Sequence, residues 1–206
     1  MHNNLNNSIT GIPRAKKRAT IIHESLEIED EDKSISKTPY SYSCALLPLN
    51  EDSVILMRYW AKKHVPKNVL YINEDEGIDG YETEPHVTVK YGLHSDDPIP
   101  LIDLIGGIGN IPLKFGKITK FDSHPDYDVL KIDVKGDKLM MLNKMISSSL
   151  DNTDTHPDYH PHATIAFVQK GSCDHLIDND FFDKLSDKVD TLHFSAKDGN
   201  THPIYL

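Results

Sequence analysis

The sequence predicts an α+β fold: internally duplicated and bilobal, with two antiparallel-type sheets backed by helices around a central cleft. Three observations lead there. Strand and helix periodicities alternate from about Pro39 onward. The order β-α-β-α-β is legible twice, over about 40–122 and 128–206. The best-matched stretches of the two copies are Pro85-His86-Val87-Thr88-Val89-Lys90-Tyr91 and Pro161-His162-Ala163-Thr164-Ile165-Ala166-Phe167.

In the first copy, Tyr40 to Leu49 reads as a strand. Asn50, followed by Glu51 and Asp52, caps a helix whose apolar positions Val54, Met57, Trp60 and Ala61 fall at helical spacing. After a loop rich in Gly and acids, His86 to Tyr91 alternates as a strand. A short helix around Leu101 to Ile105 stops at Gly106-Gly107, and a strand with Leu113 and Phe115 follows. In the second copy, Val129 to Val134 alternates as a strand. Asp137 opens a helix with Leu139, Leu142, Met145, Ile146 and Leu150 on one face, and His162 to Val168 is a strand. A short helix near Phe181 to Leu185 and a strand with Leu192 and Phe194 complete it.

A chain of 206 residues holds one domain with a sizeable core. Residues 1–36 differ from the rest: four Asn, the basic cluster Arg14, Lys16, Lys17 and Arg18, then acids from Glu24 to Asp32, without apolar periodicity. They read as a flexible N-terminal arm, leaving 37–206 as the folded domain. The formal charge is −10, and 17 basic against 26 acidic residues place −9 of it on 37–206. Such a surface repels duplex DNA, so a nucleic-acid ligand is expected to be small. No run approaches the roughly 18 apolar residues of a membrane span, and the Asn-rich start lacks the apolar core of a signal peptide. A soluble cytoplasmic protein is expected. Cys44 and Cys173 stand far apart, which supports neither a thiolate metal site nor a disulfide framework, and both read as buried small hydrophobes.

The two His-x-Thr patterns, 76 residues apart, carry the chemistry. On a strand, residues i and i+2 share a face, so each His and Thr point one way while Val87 and Val89, or Ala163 and Ile165, point into the core. A single His-x-Thr on a strand is ordinarily incidental, its polar groups satisfied by neighbours. Two copies at matching places in a repeat line one cleft. With an ordinary pKa of about 6.5, one imidazole can take a proton from an attacking hydroxyl while the other, protonated, donates to a leaving oxygen. Thr88 and Thr164 can donate hydrogen bonds to non-bridging phosphate oxygens. Lys90, two residues beyond Thr88, and Lys131, on the polar face of its strand, can offset phosphate charge. Tyr42 begins the first strand, where its ring can pack at the core or rim or stack on a nucleobase.

At these residues the sequence resembles the 2H phosphoesterase superfamily, marked by paired His-x-Thr/Ser motifs and including 2′-5′ RNA ligase-like RNA 2′,3′-cyclic phosphodiesterases. The resemblance spans Pro39 to Leu206. The wording Glu84-Pro85-His86-Val87-Thr88-Val89-Lys90-Tyr91-Gly92-Leu93-His94 and Tyr159-His160-Pro161-His162-Ala163-Thr164-Ile165-Ala166 is similar to bacteriophage copies, which include anti-CBASS enzymes that linearise cyclic oligonucleotide immune messengers. It implies a bilobal fold, no metal or other cofactor, and His86, Thr88, His162 and Thr164 as the catalytic set. The expected partner is a small nucleotide, either a cyclic oligonucleotide or a 2′,3′-cyclic phosphate, with neither duplex DNA nor a membrane. RNA-end processing and non-catalytic sequestration of a nucleotide are the alternatives.

Two weaker patterns read as structure. His156, His160 and His162 suggest zinc, but Pro161 restricts the backbone between the last two and no fourth ligand stands at a recognisable spacing. His124-Pro125-Asp126-Tyr127 echoes His156-Pro157-Asp158-Tyr159, and both read as turns entering strands.

Overall fold

The computed structural model describes residues 41–153 and 158–206. The arm expected over 1–36 lies outside them, as does His156. Strict alternation of buried and half-exposed residues makes β1 of Ser43–Pro48. Asn50 then caps α1 (Glu51–His64), its side-chain oxygen accepting the Ser53 N–H at 2.9 Å. Glu51 and Asp52 in the first turn and Lys62, Lys63 and His64 in the last suit the helix dipole. Met57, Trp60 and Ala61 form the buried stripe. The chain continues through β2 (His86–Leu93), α2 (Ile99–Ile105), β3 (Ile111–Phe121), β4 (Tyr127–Lys135), α3 (Asp137–Ser149) and β5 (His162–Gln169). It ends in β6 (Ser186–Val189), β7 (Thr191–Ser195) and β8 (Thr201–Tyr205).

The fold is mixed α and β, as expected, but the two sheets are one. β2 and β5 pair antiparallel at Val87 and Ala163, which joins the strands into a single eight-stranded sheet of order β6-β3-β4-β5-β2-β1-β7-β8. Neither half of this sheet comes from one contiguous half of the chain. β3 pairs with β4 and β6, while β7 pairs with β1 and β8. The motif strands β2 and β5 therefore lie side by side at its middle.

Val87 and Ala163, fully buried, belong to a core that also takes in Met57 and Trp60 of α1, Leu101 and Ile105 of α2, and Leu139, Leu142 and Ile146 of α3. The helices cross over: α1 packs on β5, and α3 on β2 and β3. Buried Asp187 accepts the Asn50 N–H at 2.9 Å, tying β6 to the start of α1. Both cysteines are free thiols; Cys173 is buried, but Cys44 is only half-buried because it lies on the outward face of β1.

The segment Phe181 to Leu185 forms turns in place of the expected helix, the nearby helical piece being one 3-10 turn at Asp174–Leu176. Phe182 is buried beside Trp60, and the Leu185 carbonyl accepts the Phe115 N–H of β3. That tie brings the segment alongside β3 just before β6 begins at Ser186. No helix among the described residues is long and apolar enough to cross a membrane.

Candidate active site

The antiparallel pairing of Val87 with Ala163 sets the geometry of both motifs. One residue to either side, the register sets His86 across from Thr164 and Thr88 across from His162. Since Val87 and Ala163 turn into the core, all four polar side chains rise from the opposite face, and all four are half-buried. Each motif is followed by a bulge. Leu46 and Ala45 of β1 oppose Thr88 and Lys90, leaving Val89 extra; Lys131 and Leu130 of β4 oppose Thr164 and Ala166, leaving Ile165 extra. The bulge breaks the two-residue period on which Lys90 was placed, and Lys90 is buried, at 4% exposure.

The two imidazoles are held alike. His86 Nδ1 lies 2.9 Å from the Glu84 carbonyl, and His162 Nδ1 lies 2.8 Å from the His160 carbonyl. A carbonyl oxygen only accepts, so each Nδ1 carries its proton and each Nε2 is the nitrogen left for chemistry. The paired prolines, Pro85 and Pro161, fix the backbone between each His and the carbonyl that orients it.

The surroundings of the two differ. Burial disfavours the His162 imidazolium, and charges on Lys131 and His86 add to this against the pull of the His160 carbonyl and Asp133, so its pKa falls below the ordinary 6.5. Phe121 meets the His162 ring edge-on at 4.8 Å. Lys131 lies across the β4–β5 ladder from Thr164, and Asp133 across from His162. The Lys131 ammonium is 2.7 Å from Asp133 Oδ1, donates to Thr119 Oγ1 at 2.6 Å and sits 4.5 Å above the Phe121 ring. Its charge therefore reaches the site already paired. Burial works against the Asp133 carboxylate, yet the hydrogen bonds from Lys131 and Thr119 hold its pKa below the usual range.

Beyond Val87 and Ala163 the motif strands no longer pair, and a cavity of about 670 Å³ lies beside them. Thr88, Lys90 and His162 line it, with a wall of Phe121, His124, Tyr127 and Tyr159. Carbonyls of β2 that β5 does not reach are taken by side chains instead. Tyr159 donates to the Thr88 oxygen at 2.9 Å, and Asn143 of α3 to the Val89 oxygen at 2.7 Å. The end of β2 is tied to the chain leaving α3, the Thr153 N–H donating to the Gly92 carbonyl. Gly92 is required there: its φ is +88°, and a Cβ would collide with the Thr153 carbonyl oxygen.

No family model and no curated protein matches this sequence. Solved structures do match it in fold. Kluyveromyces marxianus Usb1 superposes with a TM-score of 0.57 at 10% identity, over 81% of this chain and 99% of that one. Escherichia coli LigT complexed with NADP+ gives 0.54 at 19%, over 82% and 95%. LigT complexed with 3′-AMP gives 0.53 at 17%, over 82% and 96%. The chain shares their fold.

Within this LigT-like fold, the remaining expected residues fall as follows. Tyr42 is not among the residues lining the cavity; its ring meets Tyr91, which does line it, edge-on at 5.8 Å and stacks on His94. His160 contributes a backbone carbonyl to His162, and no group of three or more His, Cys, Asp or Glu among the described residues is placed to hold a metal. The His124 to Tyr127 turn does more than enter a strand. His124 stacks on Tyr127 at 3.9 Å, and Tyr127 packs on Tyr71 at 4.7 Å, building one wall of the cavity. Nothing in the spacing of the two motifs assigns a role to Tyr159, Asn143, Asp133 or His193. The proximity of Tyr159 to the second motif was its one legible sign.

Proposed function

We propose that this chain is a 2H phosphoesterase that cleaves a phosphodiester of a small nucleotide, with His162 as general base and His86 as general acid. The matched imidazoles carry the reading: adjacent strands, one face, each Nδ1–H engaged by the carbonyl two residues back, and each ring beside the other motif's threonine. His162, whose surroundings favour the neutral ring, takes the proton of the attacking hydroxyl. The new P–O bond forms as the bond to the leaving oxygen breaks, and His86 gives that oxygen its proton. Thr88 and Thr164 donate to the non-bridging oxygens as charge builds on them. Attack by water leaves a linear phosphomonoester; attack by a neighbouring ribose hydroxyl leaves a 2′,3′-cyclic end.

The substrate we assign is a cyclic oligonucleotide of the immune-messenger class, opened in a bacterial host cytoplasm as by phage anti-CBASS enzymes. Support comes from the motif wording, from the −9 charge on 37–206, which disfavours long RNA, and from a cavity with room for a nucleoside. A second reading, an RNA 2′,3′-cyclic phosphodiesterase, draws on the likeness to LigT, seen with the mononucleotide 3′-AMP. Four intact motif residues speak against a module that only sequesters nucleotides, which needs no proton-transfer pair. The deciding experiment incubates the protein, with and without EDTA, with cyclic dinucleotides, cyclic trinucleotides and 2′,3′-cyclic nucleotides, and identifies products by mass. Linear products from the cyclic oligonucleotides in both conditions are expected. Turnover of none of them overturns the reading, and turnover lost to EDTA and restored by zinc overturns the mechanism.

A further inference from the structure

The cavity lies to one side of the paired motifs. The other side presents a histidine that the proposed chemistry leaves unused. His193 of β7 sits across from Leu46 in the β1–β7 ladder, and Leu46 sits across from Thr88 in the β1–β2 ladder. Residues directly opposite one another share a face. His193 therefore stands on the catalytic face, two strands from the first motif. With strands about 4.8 Å apart, its backbone is about 10 Å from that of β2, within the span of one nucleoside.

The ring is half-buried, and it lies near enough to Glu84 and His86 for their charges to act on it. The same loop residue thus acts on two histidines, Glu84 orienting His86 through its carbonyl and favouring charge on His193 through its carboxylate. No hydrogen bond to either His193 ring nitrogen occurs among the described residues. The matching position across the sheet is Thr119, which faces Lys131 as His193 faces Leu46. Thr119 is committed to Lys131 and Asp133, whereas Leu46 offers His193 only apolar surface. Burial favours the neutral ring, opposed by the Glu84 charge and aided by His86. A neutral imidazole presents one donor and one acceptor, which suits a hydroxyl or a base edge better than a phosphate oxygen.

We propose that His193 is a substrate-binding residue that hydrogen-bonds the nucleoside on the His86 side of the scissile phosphate. The inference rests on the phosphodiesterase reading and goes beyond it by fixing the substrate's extent. One nucleoside occupies the cavity beside Thr88 and His162; a second lies along β1 and β7 against His193. A mononucleotide fills the first place only.

The test is calorimetric titration of the full chain carrying His162→Ala, which slows turnover by about 10²- to 10⁴-fold, with 3′-AMP and with diadenylate in its 2′-5′ and 3′-5′ forms. The same titrations follow on that protein with His193→Leu or His193→Gln added, each variant's fold being checked by thermal unfolding. His193→Leu is expected to weaken the better diadenylate by about 3- to 10-fold, the worth of one neutral hydrogen bond, and to leave 3′-AMP unchanged. His193→Gln, which keeps a donor and an acceptor, restores most of the loss. Equal losses for both probes, no loss for either, or a His193→Gln no better than His193→Leu overturns the proposal. If neither nucleotide binds the unaltered protein or its His162→Ala form at millimolar concentration, the phosphodiesterase reading itself fails and takes this inference with it.

Discussion

Tyr159 donates its hydroxyl to the backbone carbonyl of Thr88 at 2.9 Å, so the segment leading into the second motif is fastened to the strand of the first. Burial pushes the phenol well above its usual range, and the group stays a donor at every working pH. Three residues on, His162 takes its orientation from the His160 carbonyl within the same segment. Tyr159→Phe leaves the Thr88 oxygen without that partner in a half-buried place. It is expected to cost about 1–2 kcal/mol in denaturant unfolding and to lower kcat/KM severalfold while the fold persists. Unchanged turnover in a destabilised protein would make the tie structural only.

His86→Ala and His162→Ala each remove a positioned proton donor or acceptor, worth about 10² to 10⁴ in turnover. Both side chains are half-buried and rise from the face opposite the core, so the unfolding midpoint should shift little. Steady-state kinetics beside thermal unfolding check both halves. Two folded variants that each retain more than roughly a third of wild-type kcat exclude the acid–base pair.

The His162 environment makes a signed prediction for pH. As the base, His162 must be neutral, and its folded pKa lies below the unfolded 6.5 because burial disfavours the charged ring. The value of kcat/KM therefore falls on the acidic side, at a pH below 6.5. Stability follows the same sign. As pH drops through 6.5 the unfolded chain binds the proton first, so the folded state loses stability until its own lower pKa is passed. Lys131→Met removes a charge that lowers this pKa and leaves Asp133, which raises it, unpaired. Both changes act in one direction, and the acidic limb of kcat/KM moves to higher pH. A limb that stays in place or moves to lower pH rules out His162 as the group it reports.

The central strands were legible in the sequence because both of their faces left a pattern. Val87 and Ala163 had to be apolar for the core, and His86, Thr88, His162 and Thr164 alternate with it. What escaped was what alternation does not encode. β8 carries Pro203 and buries Ile204 with its other residues exposed, a composition that edge strands tolerate and that reads as loop. The bulges at Val89 and Ile165 arise from pairing with β1 and β4, so the burial of Lys90 could not be read by counting residues. Joining of the two sheets likewise depends on one long-range pair, Val87 with Ala163. Asp133 and His193 gave no local sign, since each acquires its place from a strand paired across the sheet.

Substrate length separates the two enzymatic readings. Residues 37–206 carry −9, and the lysines nearest the motifs act only locally: Lys131 is paired with Asp133, and buried Lys90 lines the cavity. An extended RNA must lay many phosphates along this surface, whereas a cyclic di- or trinucleotide brings only two or three. Cyclic di- and trinucleotides are therefore expected to be opened with higher kcat/KM than a 20-mer RNA bearing a 2′,3′-cyclic end, the first product being linear. An RNA-end enzyme reverses this order, and its RNA affinity falls steeply with salt as counterions are released. Both substrates followed in one tube at two salt concentrations decide the matter. Preference for the long RNA at low salt, lost at high salt, would assign this active site to RNA ends.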